Sequence, residues 1–152
     1  MIIDRIEDAK NEDIVKAVID CKTVAFPQAR KFAQRFKRRG DTDEDLVRRV
    51  WRFARNRFKY VRDGRVQKVR TPNAFWREGK GDCKSFSVFV GSVLKELGFD
   101  VQLKFTSQPG QSRPSHVYVI ASKGGKTWKV DSTLPKFNRE AKYDRKKTVQ
   151  WK

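Results

Sequence analysis

Beyond Gly98 the chain alternates. Phe99, Val101, Leu103 and Phe105 are apolar and Asp100, Gln102, Lys104 and Thr106 are polar, the period of a half-buried strand. Before Gly98 the period is helical. Ile14, Val15, Val18 and Cys21 recur at three- and four-residue spacing and predict a short amphipathic helix over 11–22. A second, basic helix is predicted after Pro27, with Ala29, Phe32, Ala33 and Phe36 on one face and Gly40 at its end. Asp41 or Thr42 then caps a third helix, with Asp43, Glu44 and Asp45 at its positive end and Val47, Val50, Trp51, Ala54 and Phe58 as its apolar stripe. Residues 59–75 read as irregular or short strand, with Asp63-Gly64 as a turn and Pro72 breaking any helix. The most apolar helix follows over 83–97, with apolar residues on more than one side, which implies central burial. After it come a loop over 108–114, a strand at about 115–121, a turn at Lys123-Gly124-Gly125 and a strand at about 126–131. Phe137, Tyr143 and Trp151 are candidate anchors in a basic tail.

This order of elements predicts an α+β fold, with N-terminal helices and a central helix packed on a small antiparallel sheet. Without an internal repeat or a linker, the chain reads as one domain over 1–152: a helical part at about 1–60, a core at about 71–134 and a basic tail at about 135–152. Hydrophobic content of 38%, with four Trp and eleven Phe, supports a core and argues against a disordered chain. The N-terminus carries charges too early for a signal peptide, and no apolar run reaches the ~20 residues of a membrane span. A cytoplasmic location where the protein is made is therefore expected. Cys21 and Cys83 make neither a disulfide framework nor, beside a single histidine, a zinc site, so no metal or cofactor is expected.

Charge adds a second theme. Lys and Arg number 36 against 18 Asp and Glu, a formal net charge of +18. Such an excess attracts polyanions: nucleic acid, anionic lipid surfaces or acidic wall polymers. Its plain alternative is a basic solvated face. Arg30, Lys31, Arg35, Lys37, Arg38, Arg39, Arg48, Arg49, Arg52, Arg55 and Arg57 form the candidate surface. Aromatic residues there sit at apolar-stripe positions, so binding would be non-specific and without base stacking.

Three residues carry candidate chemistry. Cys83 opens the apolar helix in Gly81-Asp82-Cys83, His116 begins a strand in Ser-His-Val-Tyr-Val, and Asp131 ends the next strand in Val-Asp-Ser-Thr. Unpaired N–H groups at a helix start favour a thiolate. An imidazole held by a carboxylate can take the thiol proton. With Lys123-Gly124 as the hairpin loop, His116 lies directly opposite Asp131; with Gly124-Gly125 the two are diagonal neighbours on one face. A three-residue loop would put them on opposite faces. The Cys83 N–H is one candidate oxyanion donor, and Trp76 and Asn73 are candidates for the second. Taken singly, each residue has an ordinary reading as core thiol, packed imidazole or turn cap; jointly they point to catalysis. Cys21 merely continues an apolar stripe.

These residues resemble the transglutaminase-like superfamily of cysteine enzymes, whose signature is a Gly-Asp-Cys leading into a helix, then a histidine and an aspartate on successive strands. The likeness runs from about Thr71-Pro72 to Leu134. It implies a papain-like α+β core, Cys83 as nucleophile, His116 as general base and acid, and Asp131 as orienting carboxylate. The implied chemistry is acyl transfer at a peptide or isopeptide amide through a thioester, as in a protease, amidase or crosslinking enzyme. Acidic clusters resembling the calcium sites of animal transglutaminases are absent. Short copies of this kind resemble bacterial and phage or prophage proteins, so a virion-associated structural component that keeps the enzyme core is an alternative to an enzyme.

Overall fold

A computed structural model describes residues 2–7, 11–64, 66–111 and 114–152. Ser112 and Arg113 of the predicted loop, and Met1 and Asp8 near the N-terminus, lie outside the described residues. The chain runs β1 (Ile2–Glu7), α1 (Asn11–Asp20), α2 (Lys22–Ala33), a single 3-10 turn (Gln34–Phe36), α3 (Asp43–Arg57), β2 (Lys59–Tyr60), β3 (Val66–Arg70) and α4 (Pro72–Glu78). It continues β4 (Lys80–Gly81), α5 (Cys83–Glu96), β5 (Asp100–Thr106), β6 (His116–Lys123), β7 (Lys126–Val130) and β8 (Lys146–Gln150). The main sheet is antiparallel in the order β7-β6-β5-β8.

Helix α5 is the centre of the core. Every residue from Cys83 to Leu94 is buried, and the helix packs against β5 and β6 on one side and α2 and α3 on the other. That is why it is apolar nearly all round. Thr42 caps α3 as the sequence suggests, in a reciprocal arrangement: its Oγ1 accepts from the Asp45 N–H at 3.1 Å, and Asp45 accepts from the Thr42 N–H at 3.1 Å.

The hairpin between β6 and β7 follows the Gly124-Gly125 alternative. Lys123 pairs with Lys126, leaving two loop residues with φ of +59° and +79°. Both central positions of such a tight turn need positive φ, which glycine adopts without strain.

Four local expectations are corrected. Helix α2 starts at Lys22 and runs through Pro27. Thr23 and Pro27 are both exposed, so the carbonyl deprived of its N–H partner faces water while Ala25, Ala29, Phe32 and Ala33 bury the opposite face. Pro72 begins α4 instead of preventing it. It occupies the first helical position, where no intrahelical N–H bond is lost; Thr71 caps it by accepting from the Ala74 N–H at 3.2 Å, and Gly79 closes it in the left-handed region at φ +72°. Two strands come from unexpected places: β1 pairs with β3, and β8 lies in the basic tail beside β5. The tail also covers the outer face of the sheet, so Lys104 and Thr106 are buried along with the apolar residues of β5. Trp151, just past β8, is wholly buried, and its indole N–H donates to the Ile19 carbonyl at 3.0 Å.

Candidate active site

Cys83 sits where β4 passes into α5. Asp82 is the helix N-cap, its Oδ1 accepting from the Lys84 N–H at 3.0 Å. The Cys83 N–H, in the first helical position, therefore belongs to the unpaired donors of the helix start. Gly81 is fixed by packing: a Cβ there would lie 2.8 Å from the Ser85 Cβ and 3.0 Å from the Phe75 ring. The Gly-Asp-Cys order thus has a local cause: close approach, then cap, then thiol.

His116 opens β6 opposite Thr106, and Asp131 follows the last residue of β7. Its Nε2 lies 2.6 Å from Asp131 Oδ2. The other carboxylate oxygen accepts from the Thr133 N–H at 3.0 Å and the Thr133 hydroxyl at 2.6 Å. Helix α3 clamps the same corner: the Trp51 indole donates to the Asp131 carbonyl at 2.9 Å, and the Ser132 hydroxyl donates to the Trp51 carbonyl at 3.0 Å. Asp131 is 3% exposed and so cannot swing away into water.

The imidazole shares the wall of one cleft with Cys83. With Nε2 turned to Asp131, Nδ1 is the ring nitrogen not engaged by the carboxylate. Burial pushes the His116 pKa down, but the hydrogen bond to Asp131 and the nearness and charge of Asp131 and Cys83 outweigh it and lift it to about 10. The structure thus joins His116 to Asp131 and sets His116 and Cys83 on one cleft. Cys83 and His116 open into a cleft of about 530 Å³, walled by Ile14 and Val15 of α1, by Tyr60 and Phe105, and by Gln111, Pro114 and Ser115 of the loop before His116.

Under the thiol lies a charge network that sequence reasoning missed. Lys84 is 4% exposed, and its ammonium meets the Asp82 carboxylate, Gln67 Oε1 at 2.7 Å and Asp63 Oδ2 at 3.4 Å. Arg70, equally buried, reaches Asp63 at 3.6 Å, Glu78 at 3.2 Å and the Ser85 hydroxyl at 3.3 Å. These pairs tie the start of α5 to β3 and to the loop before it. Removing one partner from such a network leaves an uncompensated buried charge. The spacing of Asp63, Arg70 and Lys84 gives no helical or strand period, so pattern alone did not reveal it.

Two sequence candidates lie elsewhere. Asn73 and Trp76 project from α4 into a separate depression with Lys31, Arg35 and Arg77. The Asn73 N–H donates to Gln28 of α2 at 3.0 Å, and the Trp76 ring stacks on Phe53 with centroids 5.8 Å apart. Neither lines the Cys83 cleft, because the helix that carries them turns toward α2 and α3. The basic surface also divides. Arg49 is spent on Asp41 at 2.5 and 2.9 Å and on the Phe36 carbonyl at 2.8 Å, a fixed structural link and not a free cation. Arg30 pairs with Glu96, Arg48 with Glu44, and Arg55 donates to the Ser132 carbonyl. Arg38 is exposed close to Asp41. Lys31, Arg35, Lys37, Arg39, Arg52 and Arg57 are exposed and make no ion pair among the described residues.

Cys21 is buried, its thiol donating to the Val18 carbonyl at 3.0 Å. Among the described residues no helix is long and apolar enough to cross a membrane, and no group of three or more His, Cys, Asp or Glu side chains could hold a metal ion.

Residues 30–132 match the profile of the transglutaminase-like superfamily. Among solved structures the fold is similar to a candidate protease from Parabacteroides distasonis, with a TM-score of 0.60, 13% identity, and coverage of 76% of this chain and 26% of that one. It is also similar to a candidate cysteine protease from Cytophaga hutchinsonii, with a TM-score of 0.59, 16% identity, and coverage of 71% of this chain and 37% of that one. LapG of Legionella pneumophila gives a TM-score of 0.54 at 15% identity, with 85% of this chain and 74% of that one covered. The chain thus spans only about a quarter and about a third of the first two proteins' lengths. No curated protein matches the chain in sequence.

Proposed function

The chain belongs to the transglutaminase-like superfamily, and from that membership we propose that it is a cysteine-dependent enzyme transferring the acyl group of a peptide or isopeptide amide through a thioester on Cys83. The observation that carries this reading is the position of His116, 2.6 Å from the Asp131 carboxylate and on the wall of the same open cleft as Cys83. The Cys83 sulfur attacks the amide carbonyl carbon with its proton already held on His116, whose raised pKa of about 10 keeps the ring protonated at neutral pH. The oxygen of that carbonyl gains negative charge, which the Cys83 N–H is placed to receive. The C–N bond then breaks, and His116 returns the proton to the departing amine. Water or a second amine, deprotonated by His116, attacks the thioester. The C–S bond breaks, the sulfur leaves as thiolate and the proton stays on His116. Asp131 keeps the ring oriented and balances the imidazolium charge throughout. A water acceptor gives hydrolysis; an amine gives crosslinking.

Intact-mass analysis after incubation with glutamine-containing and backbone-amide peptides, quenched in acid, tests this. An acyl adduct on Cys83, absent from Cys83→Ala and converted to a hydroxamate by hydroxylamine, is the expected result. No adduct, together with equally slow iodoacetamide labelling of Cys21 and Cys83, overturns it.

A second reading concerns the surface. Arg35 and Arg57 lie over the Trp76 ring at 4.9 and 4.5 Å, beside Lys31 and Arg77, with no carboxylate lining that depression. These cations support non-specific contact with nucleic acid or another polyanion, compatible with catalysis at the cleft.

A further inference from the structure

Acyl transfer places negative charge on the substrate's carbonyl oxygen, and cysteine and serine acyltransferases commonly meet it with two donors. The Cys83 N–H is one, and the helix carrying Trp76 and Asn73 faces away from the cleft. Two side-chain donors beside Cys83, Gln67 and Lys84, are spent. Gln67 donates through Nε2 to the Gly64 carbonyl at 2.8 Å and accepts from Lys84 through Oε1. Lys84 itself is surrounded by Asp82, Asp63 and Gln67. Arg62, Gln111 and Ser115 also line the cleft, but none of them is tied by strand pairing or ring stacking to the residues that flank Cys83.

Tyr60 is different. Its strand, β2, runs parallel to β4, with Tyr60 in register with Gly81, two residues before the thiol. The Val61 N–H donates to the Gly81 carbonyl at 2.9 Å, which fixes that register. The ring stacks on Phe86, one helical turn beyond Cys83, with centroids 6.2 Å apart and planes 28° from parallel. The phenol thus flanks Cys83 from both chain directions, and it lines the same cleft. It is 45% exposed, one of only two large apolar or aromatic side chains so exposed among the described residues, and its hydroxyl has no hydrogen-bond partner among them. An aromatic ring held at the nucleophile with an unspent hydroxyl is a poor choice for packing alone.

We propose that the Tyr60 hydroxyl is the second oxyanion donor, completing with the Cys83 N–H the site that holds the tetrahedral intermediate. This rests on the acyl-transfer reading above. The hydroxyl remains a donor across the working range, because burial and the negative charges of Cys83 and Asp82 push its pKa up to about 12.

Two reagents separate this role from a general effect on the thiol. Acylation by p-nitrophenyl acetate passes through an oxyanion; alkylation by iodoacetamide does not. In Tyr60→Phe, which keeps the ring on Phe86, the acylation rate constant for Cys83 should fall by roughly 10²-fold, the cost of losing one such donor. The alkylation rate should stay at the wild-type value, which also reports an intact site. Unchanged acylation overturns the proposal, and so does an equal fall in both rates, which would make Tyr60 a residue that tunes the thiol. A wild-type protein alkylated rapidly at Cys83 yet never acylated overturns the acyl-transfer reading itself, a result distinct from either.

Discussion

His116 and Asp131 meet because the β6–β7 hairpin turns on two glycines, and their side chains close to 2.6 Å from one strand's first residue and the position just past the other's end. The chain has a single histidine, so its titration can be followed by NMR without assignment. Replacing Asp131 with Asn should bring the imidazole pKa down from about 10 toward its ordinary value of 6.5. It should also lower turnover by several orders of magnitude, on the order of 10⁴ where the analogous serine-protease carboxylate is neutralised. Stability follows the same sign. A raised histidine pKa contributes stability that is complete below pH 6.5 and is lost as pH rises to about 10. Urea unfolding at pH 6 and pH 10 should show this loss in the wild-type protein and a smaller one in Asp131→Asn.

That the hairpin was legible follows from its locality: two strands, a Lys-Gly-Gly turn and alternating side chains fix the face each residue occupies. Helix α5 was legible because its apolar density has no surface explanation. What escaped was set by distant packing or by position within an element. Pro72 reads as a breaker unless Thr71 is seen as its cap. Strand β8, Lys-Lys-Thr-Val-Gln, lacks apolar alternation, since most of it is exposed and its place depends on pairing with β5 some forty residues earlier. Tyr60 looked like one more aromatic in an irregular stretch. Only the parallel pairing of β2 with β4 brings it beside the thiol.

Gly91 and Trp151 form a tight contact between the central helix and the end of the tail. A Cβ at Gly91 would lie 2.8 Å from Trp151 Cζ3 and 3.3 Å from Val119 Cγ2. Gly91→Ala should therefore destabilise by about 1–3 kcal/mol through overpacking. Trp151→Ala should cost about 3–5 kcal/mol. In the double variant the alanine methyl meets an emptied site, so its added cost should largely vanish. Denaturant unfolding of all four proteins measures that coupling, and additive costs would show the contact is not shared.

Glu140 ties the tail to the outer face of the sheet. It accepts from the Tyr118 hydroxyl and from Lys104 at 2.9 Å, with Lys129 at 3.4 Å, and Tyr118 in turn lies 5.6 Å from the His116 ring. Burial raises the Glu140 pKa, but the bonds from Tyr118 and Lys104 prevail and hold it at about 2. A depressed carboxylate contributes stability that is full above 4.5 and disappears as pH falls to about 2. Glu140→Gln should flatten the acid limb of the stability curve in that window while lowering stability at pH 7.

The basic surface allows the sharpest separation of structural from functional arginines. Arg35 and Arg57 cover the Trp76 ring and have no carboxylate partner among the described residues, whereas Arg49 is locked to Asp41 and to the Phe36 carbonyl. If these exposed cations meet phosphates, binding to duplex DNA should weaken steeply with salt. Removing Arg35 and Arg57 together should lower the log–log salt slope by about 2, near 0.9 per lost phosphate contact. Arg49→Ala should leave that slope unchanged and reduce stability instead, because it strands the Asp41 carboxylate that the guanidinium holds below its usual pKa. With guanidiniums over the Trp76 ring, stacking on bases contributes little, so single-stranded DNA should gain no advantage over duplex. Fluorescence anisotropy across a salt series, run on the three proteins, distinguishes these outcomes. A slope near zero for the wild-type protein would mean that the +18 charge reflects a solvated face and nothing more.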